Sequence, residues 1–94
     1  MDIFERIDAL NVQACKRADS LAEMRRNYAK LCRMRKALME DIPVGLRCSA
    51  TSRDIVWTVK RVADTVAGIP VAELISDCGK YSTVVRIDDL RPAV

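Results

Sequence analysis

Residues 25–36, RRNYAKLCRMRK, hold six basic side chains and no acidic one. A regular row of cations is chemistry for holding a polyanion. Each Lys or Arg neutralises a phosphate or a carboxylate, and arginine adds a planar fork that either anion accepts in pairs. On a helix, Arg26, Lys30 and Arg33 are spaced four and three apart and share one face, with Arg25 and Lys36 as flanks. Met24, Tyr28, Leu31 and Leu38 form an apolar stripe on the opposite side. The same pattern describes the solvated side of any amphipathic helix. The row therefore marks a surface to locate before it marks a function.

Arg35 interrupts the apolar stripe between Leu31 and Leu38. A guanidinium there must find a carboxylate or reach water. Glu40, Asp41 or an acid on a partner helix would answer it, so Arg35 is the residue expected to fix register at a helical interface. Arg17 holds a similar seam position.

Trp57 is the only tryptophan. If residues 53–67 form a helix, Ile55, Val59, Val62 and Val66 share its apolar face and Trp57 projects away, near Lys60 and Arg61. Trp beside Arg is the composition of a binding hot spot, and Trp is also a platform on which an unpaired base stacks.

Enzyme chemistry finds no foothold. The chain has no histidine, no Gly-rich phosphate loop, and no Ser or Thr with a base at a recognisable spacing. Asp88 and Asp89 are adjacent, and neighbours on a strand point opposite ways, so they do not make a catalytic pair. Four cysteines stand at 15, 32, 48 and 78, with no C-x-x-C spacing to hold zinc. They read as free thiols in a reducing cytoplasm, buried as small hydrophobes. No metal and no cofactor is expected.

From Asp2 to Asp41 there is neither Gly nor Pro, and Ile3, Ile7, Leu10, Ala14, Leu21, Met24, Tyr28, Leu31 and Leu38 follow a four-three heptad seam. This predicts either one long amphipathic helix over residues 1–42 or a hairpin of two helices. The hairpin would turn near Arg17 to Ser20, where Ser20 and Glu23 make a capping-box pattern. A single helix of about 40 residues would span roughly 60 Å and need a second copy beside it. Residues 43–52 read as a loop, from Pro43 and Gly45. Thr51 or Ser52 then caps the helix at 53–67, closed by Gly68, and Pro70 opens a third helix over 70–78. Residues 81–87, YSTVVRI, are β-branched and suit a short strand, followed by an extended tail.

The stretch IVWTVKRVADTVAGIPVAELIS, residues 55–76, resembles the opening helices of the DNA-binding domain of bacterial replication initiators. There a Val-Ala helix is followed by a short helix ending in a DLLS-like run. The spacing between Val62 and Leu74 departs by one, and no residue's role carries over.

The expectation is a single small domain, residues 1–94, mainly α: a long N-terminal amphipathic helix or helical hairpin, a small two-helix unit in 53–94, and a short C-terminal strand or tail. Net charge is +3, only mildly basic. No apolar run is long enough to suggest a membrane span. Two functions fit. One is a non-enzymatic adaptor or inhibitor, of the kind carried by phages and mobile elements, that docks the basic face and Trp57 on an acidic protein partner. The other is a small regulatory nucleic-acid-binding protein using the Arg/Lys row. Both expect a cytoplasmic homodimer.

Overall fold

The computed structural model describes residues 2–50 and 55–93. Two helices, α1 (Ile3–Ala14) and α2 (Leu21–Asp41), precede five strands: β1 (Arg47–Ser49), β2 (Trp57–Ala63), β3 (Val71–Ser76), β4 (Ser82–Arg86) and β5 (Arg91–Pro92). A 3-10 turn, Ile87–Asp89, joins β4 to β5. The strands form one sheet in the order β4-β3-β2-β1-β5, with every neighbouring pair antiparallel. The fold is α+β, which overturns the mainly α expectation.

The helical region is the hairpin and not the continuous helix. Asp2 caps α1 by accepting from the Glu5 amide at 2.8 Å. Ser20 caps α2 by accepting from the Glu23 amide at 3.1 Å, while the Glu23 carboxylate accepts from the Asp19 amide at 3.1 Å. These bonds satisfy donors that the first turn leaves open, and they start α2 where the sequence offers a side-chain cap.

The expected helix at 53–67 is β2, and the one at 70–78 is β3. The caps assigned to Thr51 or Ser52 lie outside the described residues. In β3, Ala72, Leu74 and Ser76 are buried and the residues between them are half-exposed, the period of two that a strand with one covered face requires. In β2 the register slips between Val59 and Arg61. Trp57 and Val59 are buried before the slip, and Val62 returns to Ala72 after it. The step from buried Val59 to half-buried Val62, both against the core, is therefore three residues, the spacing of a helix face, though the backbone is extended. The strand at 81–87 exists as β4, and β3 of the same chain supplies its ladder. Gly68, at φ 75°, closes the β2–β3 turn, and its amide bonds the Thr65 carbonyl at 2.9 Å.

One core joins the layers: Ile7 and Leu10 of α1, Leu38 of α2, and Cys48, Trp57, Val59, Leu74, Ile87 and Leu90 from the sheet and its 3-10 turn. Each large apolar side chain buried here contributes about 1.5–3 kcal/mol.

Candidate docking surface on α2

Helix α2 is longer than its support. Arg6 of α1 pairs with Asp41 of α2 at 2.8 Å. Farther along, Asn11 of α1 and Arg35 of α2 both bond to Asp88. These contacts fix the level of one helix against the other. From Arg6 to Ala14 the rise is about 12 Å, so α1 ends level with about Arg33 of α2. Residues 21–30 continue beyond it.

The apolar stripe consequently changes character along α2. Leu38 is buried and Leu31 half-buried in the body of the protein. Leu21, Met24 and Tyr28 remain 62 %, 56 % and 67 % exposed. The β2–β3 turn meets α2 where the stripe emerges: Asp64, Gly68 and Pro70 share a small cleft with Cys32, Arg35 and Lys36. Val66, at the tip of that turn, is fully exposed.

The cations divide into two groups. Away from the basic row, arginines mostly meet carboxylates: Arg6 with Asp41, Arg35 and Arg86 with Asp88, Arg47 with Asp77, and Arg61 with Glu73 at 2.7 Å. Arg25, Arg26, Lys30, Arg33 and Lys36 are all exposed, and no carboxylate of the described residues pairs with them. At about 100° per residue, Arg26, Lys30 and Arg33 lie roughly opposite Met24 and Tyr28. The free part of α2 thus carries two surfaces, one cationic and one apolar, back to back.

Trp57 is not part of either. It is 4 % exposed in the core, because β2 turns it inward beside Val59, and the exposed anchor drawn from a helical 53–67 does not exist. Lys60 and Arg61 sit on β2, apart from the α2 row; both are exposed, and Arg61 is neutralised across the ladder by Glu73. The replication-initiator resemblance fails for the same reason, since residues 57–63 and 71–76 are strands.

Arg35 takes its carboxylate from neither Glu40 nor Asp41. Its guanidinium donates to Asp88 Oδ2 at 2.9 Å, and Arg86 donates to the same oxygen at 3.0 Å. The Asp88 carbonyl accepts from Asn11 at 3.1 Å and from Arg91 at 2.9 Å. Asp88 therefore ties α1, α2, β4 and β5 together. Sequence reading passed over it as one of two adjacent acids. The available signal was Arg35 itself, a seam cation that required a buried acid.

The cysteines offer little chemistry. Cys48 is buried, and burial pushes its thiol up from the ordinary value. Cys15, Cys32 and Cys78 are exposed, against the expectation that all four would be buried. Cys78 is held below the ordinary thiol range by the Ser76 hydroxyl, 3.2 Å from its sulfur, and by the Lys80 backbone. Among the described residues no three His, Cys, Asp or Glu side chains cluster to hold a metal, and no helix is long and apolar enough to cross a membrane.

No protein-family model, curated protein or solved structure matches this chain.

Proposed function

We infer that this protein is a non-enzymatic adaptor or inhibitor that holds an acidic surface of a protein partner with the cationic face of α2. One observation carries the reading: five cations on one helix have no carboxylate partner among the described residues, in a fold whose other described arginines mostly have one. Lys and Arg side chains with no carboxylate partner among the described residues lose little when an acidic surface replaces water around them. They also steer its approach. Arg26, Lys30 and Arg33 form the central row, with Arg25 and Lys36 at its edges.

A nucleic-acid backbone is the second reading. It is favoured by the makeup of the row, where Ala29 lies between the cations and Ala22 and Ala37 at its ends, none of them an apolar anchor. Phosphate binding needs none.

The test separates the two. Labelled single- and double-stranded oligonucleotides are titrated with the protein at about 50 and 200 mM salt, a range over which phosphate contacts weaken steeply. In parallel, the tagged protein and its R26E/K30E/R33E variant are used to capture partners from a native lysate. The adaptor reading expects no oligonucleotide binding and one protein retained by the wild type and lost from the variant. Oligonucleotide binding that falls with salt and is abolished by the same substitutions makes the second reading the function.

A further inference from the structure

We propose that the apolar side of the free half of α2 is a homodimer seam, along which a second copy of this chain packs antiparallel. This goes beyond the docking role of the cationic face, since it concerns the opposite side of the helix.

Three observations identify a second copy as the occupant. The first is where charge is missing. Leu21, Met24, Tyr28 and Leu31 follow the four-three spacing of a coiled-coil seam. The positions that border such a seam are Ser20, Arg25, Asn27, Cys32 and Met34, of which only Arg25 is charged. Arg26, Lys30 and Arg33 occupy positions that point away from it. An acidic partner helix laid in the seam would gain one cation, Arg25, and leave the row untouched. A second copy brings its own Arg25 beside Arg25 near the two-fold axis, but it meets no opposing row of like charge.

The second observation is self-complementarity. A two-fold axis level with residue 26 sets Met24 of one copy against Tyr28 of the other, and Leu21 against Leu31. All four layers are then filled at once, as a symmetric interface requires. Antiparallel packing also sends the two folded bodies to opposite ends of the pair.

The third is where the seam stops. Below Leu31, Arg35 is committed to Asp88 of its own chain and Leu38 to its own core, so neither is available to a partner. At that level the β2–β3 turn rises beside α2, with Val66 fully exposed at its tip. In the antiparallel pair, the Leu21 end of the second copy reaches this level. The resulting particle displays two cationic rows on its outer sides.

The seam is short, with less area than the roughly 800 Å² per partner of a standard interface, so the dimer forms in a concentration-dependent way. Sedimentation of the full chain from about 5 to about 500 µM brackets the affinity of so small a contact. The expected result is a monomer–dimer transition in the wild type and a monomer throughout for M24E/Y28E. Both changed side chains are exposed, and an unaltered circular dichroism spectrum verifies the fold. A wild type that stays monomeric over the whole range overturns the proposal, and so does a double variant that still dimerises.

Orientation is read from a crosslink. In a C15S/C78S background, Leu21→Cys is expected to form an intermolecular disulfide with the native Cys32 under mild oxidation. A 21-to-21 disulfide means a parallel pair and overturns the antiparallel seam. Because Arg26, Lys30 and Arg33 are unchanged in all these variants, failure of the dimer leaves the cationic docking test standing, and the reverse.

Discussion

Asp88 Oδ2 accepts Arg35 of α2 at 2.9 Å in a pair whose side chains are 15 % and 9 % exposed. The two halves of the chain meet here, and the bond does what core packing alone does not: it fixes how far α2 slides along the sheet. The two partners are not equivalent. Asp88 also holds Arg86, whereas among the described residues Arg35 has only Asp88 and its Nε has no partner. Removing the acid strands a buried guanidinium. Removing the guanidinium leaves the acid still paired.

The stability cost should follow that asymmetry. Asp88→Ala is expected to cost about 3 kcal/mol or more, and Arg35→Met about 1 kcal/mol. Urea unfolding of both variants at matched slope measures the difference. Equal losses, or a larger loss for Arg35→Met, would mean that Asp88 does not organise the junction.

Trp57 gives a direct reading of the β2 assignment. In the core its emission should be blue-shifted and resist acrylamide quenching, with both properties lost on unfolding. Trp57→Ala should cost about 3–5 kcal/mol, as large-to-small changes at buried aromatics do. Trp57→Phe should cost much less, since the indole Nε1 has no hydrogen-bond partner among the described residues. A red-shifted, freely quenched Trp57 would restore the exposed anchor and remove the sheet as described.

How far the sequence reached is clear from particular residues. The Ser20–Glu23 cap is local chemistry and legible, whereas the break before it stood as one of two alternatives, beside a continuous helix. The four-three spacing of Leu21 to Leu38 and the strand at β4 were legible too. The failure at β2 has a definite origin. The register slip after Val59 puts Val62 three residues on, so core-facing positions in an extended strand imitate a helix face. The density of Ile, Val and Thr from residue 55 to 66 argued for a strand, because β-branched side chains lose little freedom on a pleated surface. The apparent period of Ile55, Val59, Val62 and Val66 points the other way. In β3 the alternation of Ala72, Leu74 and Ser76 was present but obscured, since Ala and Ser carry weak hydrophobic contrast. The α2 row was found, yet its unpaired state depends on where the acids of distant elements fall, and no local pattern encodes that.

Thiol reactivity should separate the four cysteines. Hydrogen bonding from Ser76 and the Lys80 backbone holds Cys78 low, so a larger share of it is thiolate near neutral pH than for an ordinary thiol. Burial drives Cys48 the other way. Iodoacetamide labelling followed by peptide mass mapping should therefore modify Cys78 first and Cys48 only after unfolding. Ser76→Ala should slow Cys78 and shift its rate profile to higher pH. An unchanged profile would mean that the 3.2 Å contact does not act on the thiol.

The Ser20 cap bears on both surfaces of α2, because residues 21–30 have little else to hold them helical. Ser20→Ala removes the acceptor for the Glu23 amide and should cost about 1 kcal/mol. On a fully packed helix that loss would spread into global stability. Here it should appear locally, as a roughly fivefold loss of hydrogen-exchange protection from Glu23 to Tyr28, with amides of β3 unaffected. Protection in the same stretch should recover as protein concentration rises if a second copy packs on Met24 and Tyr28. Loss of protection across the whole chain would instead mean that the first turns of α2 are part of the cooperative core, and that the segment is not free to serve as a docking element.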